Sequence, residues 1–204
     1  MPPPDDHLIE HLDARQDILH GNFLHARRDT VRLPSGRHAT REYVVHPGAV
    51  MIVPLLDTPA GAPWQVIMER QFRYPVGQVI TEFPAGKRDP GEDLWLCAQR
   101  ELREETGYRA AEWAHAGVLH PLVAYSTEII DVWFARGLRA GERALDEGEF
   151  LDVISVGLDD VLLWCRDGRI TDGKTLAAAL WLQNLASGAW SLEWQPAAAG
   201  PAAG

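Results

Sequence analysis

Positive charge and cysteine are both scarce in this chain. Nineteen lysines and arginines face 29 aspartates and glutamates, a formal net charge of −10. Such a balance repels a nucleic-acid backbone or an anionic membrane, so neither is expected as a partner. A phosphate-bearing substrate would have to be met by local cations, metal ions above all. Cys97 and Cys165 are too few for a disulfide framework or a zinc cluster. No apolar run reaches the length of a membrane span, and Pro2 to Pro4 followed by Asp5 and Asp6 make no signal-peptide pattern. The cytoplasm is therefore the expected location. Repeats at a solenoid period are also missing. What remains, at 204 residues and 46% hydrophobic, suits one globular domain with a sizeable core and a small N-terminal addition.

Three divisions are expected: an N-terminal β element over 1–45, a main domain over 46–195 and a disordered tail over 196–204. The first fifteen residues are polar, with a short helix at their end. Strands follow over Asp17–Leu24, Asp29–Leu33 and Arg41–Val45, with a turn at Pro34-Ser35-Gly36. A unit this small cannot enclose Ile18, Leu19, Phe23, Leu24, Val31 and Leu33 by itself, and a homodimer whose N-terminal strands are exchanged to cover them is expected. Phe23 is assigned to packing. In the main domain, strands are expected at Pro47–Leu56, Trp64–Phe72, Val79–Phe83, Trp113–Leu119, Ile129–Ala135 and Phe150–Val156. Helices are expected at Leu158–Arg166 and Asp172–Leu185. Strands mixed with an internal helix and closing helices give an α/β protein, a mixed sheet covered on both sides as an α/β/α sandwich.

The stretch from Gly86 to Tyr108 organises the rest. Asp93 is a good N-cap, Gly107 a good stop, and Leu94, Ala98 and Leu102 recur every fourth residue, so a helix is expected between the two. Glu101, Glu104 and Glu105 then share one face, where like charges repel. A solvated surface can carry such a face, with Arg100 and Arg103 as neutralising neighbours. The other use of three carboxylates is to hold a hard divalent cation through oxygen.

The spacing favours the second use. Gly86, five residues, Glu92, seven residues, then Arg100-Glu-Leu-Arg-Glu-Glu-Thr-Gly107 with Tyr108 behind it is similar to the Nudix box at each of its fixed positions. The likeness extends from about Arg41 to Thr175. Arg41-Glu-Tyr-Val-Val-His-Pro-Gly-Ala-Val50, Glu69-Arg-Gln-Phe-Arg73, Glu82-Phe-Pro-Ala-Gly-Lys87 and Thr171-Asp-Gly-Lys-Thr175 resemble the ADP-ribose pyrophosphatase branch. This resemblance implies the Nudix fold, a homodimer, and cleavage of ADP-ribose to AMP and ribose 5-phosphate with Mg2+, or Mn2+ in its place. It implies metal ligands at Glu101, Glu104, Glu105 and the Ala85 carbonyl, with Gly86 giving the loop room and Glu92 and Arg100 bracing it. Arg73 and Arg41 would grip the diphosphate and Glu128 the terminal ribose. The general base would lie in the acidic loop Asp146-Glu147-Gly148-Glu149, with Glu147 ahead of Glu149 and a box carboxylate such as Glu105 as the third candidate.

One departure is visible. The loop His120-Pro121-Leu-Val-Ala-Tyr-Ser126-Thr-Glu128 has Val123 or Ala124 where many such enzymes carry a second proline, which loosens the substrate assignment. Other nucleotide sugars or dinucleotides are the alternative within the class. A ligand-sensing domain without turnover is the alternative outside it, and the intact box carboxylates speak against that.

Overall fold

The computed structural model describes residues 5–197. The described residues divide into two compact units, 5–48 with 120–129, and 49–119 with 130–197.

In the first unit a 3-10 turn at Asp5–Leu8 leads into three strands, β1 (His11–His20), β2 (His25–Arg32) and β3 (His38–Val45). They form an antiparallel sheet in that order. The helix expected near residue 15 is instead the first half of β1. Every residue of β1 is exposed, so no buried face impressed an apolar alternation on its first half; its second half, 17–20, lies within the strand expected over Asp17–Leu24. At the middle of the sheet the buried Asp29 accepts from Arg15 Nε at 3.0 Å, Arg15 Nη2 at 2.8 Å and the Tyr43 hydroxyl at 2.9 Å. Val31 is buried, whereas Leu12, Ile18, Leu19, Phe23 and Leu24 are exposed. Phe23, assigned to packing, is 65% exposed in the single chain, because the sheet has no second layer of its own to bury it. The loop 120–129 belongs to this unit. Val44 N–H donates to the Tyr125 carbonyl and Thr127 N–H to the Val44 carbonyl, at 2.9 and 3.0 Å.

The second unit holds a mixed sheet. Its strands are β4 (Ala49–Leu56), β5 (Gln65–Arg73), β6 (Gln78–Glu82), β7 (Ala85–Lys87), β8 (Tyr108–Leu119), β9 (Ile130–Ala140), β10 (Leu151–Gly157) and β11 (Gln195–Pro196). The order is β10-β5-β4-β9-β8-β11, with β6 on β5 and β7 on β4. Only β4 and β9 run parallel. Three helices accompany it: α1 (Leu94–Thr106), α2 (Leu158–Arg166) and α3 (Gly173–Ala186).

The apolar run of β4 is buried on both faces, as a central strand must be. Met51 and Val53 face one core with Val161 of α2 and Ala178 and Leu182 of α3. Val50 and Ile52 face the other, with Cys97, Ala98 and Leu102 of α1. The period of two along the strand thus sorts the helices onto opposite sides and makes the α/β/α sandwich.

Two strands were not anticipated. Three-residue β7 pairs Gly86 with Val50 and Ala85 with Met51, too short to show a pattern. Gln195 and Pro196 pair with Trp113 and Glu112, and Ala197 N–H donates to the Ala111 carbonyl at 2.8 Å. A proline is tolerated there because β11 is the last strand at that edge. Residues 198–204, part of the expected tail, lie outside the described residues. Among the described residues no helix is long and apolar enough to cross a membrane.

Candidate active site

Helix α1 is set at both ends by its own sequence. The Asp93 side chain accepts from Trp95 N–H and Leu96 N–H at 2.9 and 3.3 Å, and Gly107, at φ +77°, ends it with its N–H on the Arg103 carbonyl. Between these ends Glu101 and Glu105 turn inward and are buried, whereas Glu104 is half-buried. Strand β7 brings the loop against them. Ala85 N–H donates to Glu105 Oε2 at 3.0 Å. Gly86 is so close to Glu101 that a Cβ there would lie 1.9 Å from its carboxyl carbon. Only glycine leaves the Glu101 carboxylate where it is.

Arg100 ties helix to loop. Its Nε and Nη2 each donate to one Glu92 oxygen at 2.8 Å, a two-pronged pair. Nη2 also reaches the Lys87 carbonyl at 3.1 Å, while Nη1 donates to Glu101 at 2.8 Å and Glu104 at 3.2 Å. Glu92 additionally accepts from Asp89 N–H at 3.0 Å. The Arg100 fork, with that backbone bond, holds the Glu92 carboxyl down at about 2 despite partial burial. Glu101 behaves oppositely. Burial raises it to about 7, against the pull of Arg100. Glu105 is also raised well above the usual carboxylate range, by burial first and then by the charges of Glu69, Glu101 and Glu149.

Strands β5 and β6 supply a wall that sequence reasoning only partly found. Glu69 stands opposite Glu82, and both are fully or almost fully buried. Glu82 is matched by two cations: Arg73 Nε donates to Oε1 at 2.7 Å, and Lys174 Nζ, at the start of α3, donates to Oε2. Lys174 also reaches Asp172 at 3.0 Å. Burial acts to raise the Asp172 carboxyl, yet Lys174 and Thr175 outweigh it and hold it low. The buried Thr175 accepts from Phe83 N–H at 3.2 Å. The α3 N-terminus therefore grips the strand end that leads into Ala85 and Gly86. A signal for Lys174 was present, since it is one of two lysines in the chain.

The acidic loop between β9 and β10 is resolved into two unequal glutamates. Glu149 is half-buried and accepts from Gln71 Nε2 at 3.2 Å, and its charge reaches Glu69, Glu101 and Glu105. Glu147 is exposed and makes no hydrogen bond or ion pair with the described residues. Glu149, which adjoins β10, meets Gln71 because the register of β10 sets Leu151 opposite Gln71. Arg41 and Glu128 sit in the first unit. Arg41 Nε donates to Glu10 at 2.9 Å, and Glu128 lies 3.8 Å from His46 Nε2.

A site with buried carboxylates, a glycine-lined loop and a cross-braced arginine matches one family. Residues 45–179 fit the NUDIX domain, and residues 11–44 fit the nucleoside diphosphate sugar hydrolase N-terminal domain. The chain is a Nudix hydrolase. Among its curated relatives, a Bacillus methanolicus protein named methanol dehydrogenase activator is 38% identical, over 82% of this chain and 89% of that one. A Bacillus subtilis ADP-ribose pyrophosphatase is 36% identical, over 86% and 94%. This Nudix hydrolase also shares its fold with a crystal structure described as an ADP compounds hydrolase, at a TM-score of 0.77 and 21% identity, covering 88% of this chain and 95% of the other. Both the Nudix sandwich and the added N-terminal sheet are thus family features.

Proposed function

We propose that this Nudix hydrolase cleaves the diphosphate of ADP-ribose, giving AMP and ribose 5-phosphate, with Mg2+ or Mn2+ as cofactor. The observation that carries the reading is the set of buried carboxylates on α1 lying against the Ala85–Gly86 turn. The residues fit a divalent cation. Among the described residues, no three acidic, histidine or cysteine side chains already converge as a ligand set, since Arg100 bridges Glu101 and Glu104. Yet Glu101 and Glu105 are buried with raised carboxyls, which is unfavourable for anions without a cation. Their oxygens, with Glu104 and the Ala85 carbonyl, are the hard donors that Mg2+ takes. When bound, such a cation neutralises diphosphate oxygens and lowers the pKa of an attacking water.

The chain's own groups supply the rest. Arg73 is held through Nε by Glu82, which leaves its two Nη groups for phosphate oxygens. The acidic loop supplies the general base that takes the proton from the attacking water, Glu147 first, with Glu149 and Glu105 as alternatives. Glu82, Lys174 and Thr175 fix the approach of β6 to the turn. Arg41 is the second candidate for gripping the diphosphate and Glu128 the candidate for the terminal ribose.

The same reading includes a homodimer and a cytoplasmic location. Support for the dimer comes from the first unit, where Leu12, Leu19, Phe23 and Leu24 are all about half exposed or more on one small sheet (51, 48, 65 and 46%). Covering them with a second copy removes that surface from water. A broader substrate range among nucleoside-diphosphate compounds is the second reading. It is favoured by the differing names of the relatives and by Val123 and Ala124 in the 120–129 loop.

The experiment is release of AMP from ADP-ribose with and without Mg2+, beside a panel of nucleotide sugars and dinucleotides. Preferred, Mg2+-dependent turnover of ADP-ribose is the expected result. Metal-independent turnover, or none on any diphosphate of the panel, overturns the proposal.

A further inference from the structure

Glu69 has no role in what has been described, and its burial is costly. It is 0% exposed, and among the described residues neither Oε1 nor Oε2 has a hydrogen-bond partner. A carboxylate so placed forfeits its hydration with nothing in exchange. Two strand positions on, Gln71 shares its face of β5, and the buried Gln71 Oε1 is also without a partner. All three orphaned atoms are acceptors.

The nearby cations do not answer them. Arg73 and Lys174 both bond to Glu82, and Lys174 also bonds to Asp172. Glu105, whose burial is offset by a single backbone N–H, feels the charge of Glu69 more than that of any other side chain. Glu149 closes the group through its bond with Gln71. The wall between β5 and α1 thus holds an excess of oxygen and negative charge, with no donor on the Glu69 side.

We infer that Glu69, with the Gln71 side-chain oxygen beside it, forms an additional oxygen face of a divalent-cation site shared with Glu105 and Glu149. This rests on the reading of the protein as a metal-dependent hydrolase. It adds a ligand from β5, outside the box helix and the loop that adjoins it. Four oxygen donors from three elements suit a hard ion such as Mg2+ or Mn2+. A buried water could donate to these lone pairs but brings no positive charge to a site of three carboxyls.

The probe is Mn2+, counted as free ion by electron paramagnetic resonance during titration of the full-length chain, for wild type and Glu69→Gln. Glu69→Gln is expected to weaken at least one Mn2+ site by about tenfold or more. Mn2+ soaked into wild-type crystals is expected to give an anomalous peak bonded to a Glu69 oxygen. This second measurement needs no variant, so a failure of Glu69→Gln to fold leaves the inference testable. Wild-type Mn2+ binding that Glu69→Gln reproduces in affinity and number, or peaks confined to Glu101, Glu104 and Glu105, overturns the role of Glu69 and leaves the proposed function standing. Absence of Mn2+ binding by the wild type overturns both.

Discussion

The box helix and the N-terminal sheet are built from the same materials and use them differently. Both are dense in arginine–carboxylate pairs. In the sheet, Arg28–Glu42 joins β2 to β3, and Arg41 of β3 pairs with Glu10 just before β1, all with side chains a third to a half or more exposed. Around α1, one guanidinium, Arg100, spans Glu92, Glu101 and Glu104, and its partners are 11 to 22% exposed. Water screens the first set, so each pair there adds little. The second set is partly withdrawn from water, so its geometry is held and its charges weigh on one another. A carboxylate count therefore says little about function, whereas the burial of those carboxylates says a good deal.

The comparison can be tested by breaking each side. Glu104→Gln and Glu105→Gln should each cost about 3 kcal/mol or more of transition-state stabilisation, roughly a hundredfold in turnover, with the circular-dichroism spectrum unchanged. Either variant within a few-fold of wild type at saturating Mg2+ removes that residue from the metal site. Gly86→Ala should displace the Glu101 carboxylate, an end group that can swing, and so weaken Mg2+ by about tenfold while the fold persists. Unchanged metal affinity would mean the loop yields instead.

Smaller effects follow outside the ligand set. Arg100→Ala leaves Glu92 without its fork and should lower unfolding free energy by about 2 kcal/mol in denaturant titrations, less than for a fully buried pair. Arg28→Ala, in the exposed sheet, should change it by no more than about 0.5 kcal/mol. A large loss from Arg28→Ala and none from Arg100→Ala would invert the comparison.

Helix α1 was legible to the residue because its cap, its stop and its apolar period all lie within it. The box was legible because its function demands fixed spacing along a single stretch. Glu69, Gln71 and Lys174 were not legible as a group. They come from β5 and α3, and only the register that sets Glu69 opposite Glu82 and the packing of α3 bring them together. Within β5 nothing distinguishes Glu69 from an outward-facing glutamate such as those of the exposed sheet. The first half of strand β1 was missed for the opposite reason, since a strand exposed along its whole length has no face to encode. The bond between Glu149 and Gln71 was likewise not legible, since it depends on how β10 pairs with β5.

The most direct test of the central claim, that the buried α1 carboxylates are unbalanced until a cation joins them, is thermal unfolding of wild type and Glu105→Gln in EDTA and in Mg2+. The sign follows from the raised folded-state pKa of Glu105. The unfolded chain ionises this group near 4.5, so the stability it lends is complete below that pH and is lost as pH rises toward its higher folded value. At neutral pH without metal, Glu105→Gln should therefore melt higher than wild type. Added Mg2+ should raise the wild type by more than the variant, as binding to the folded state alone requires. A wild type that melts higher than Glu105→Gln in EDTA, or an equal Mg2+ shift in both proteins, would contradict the claim.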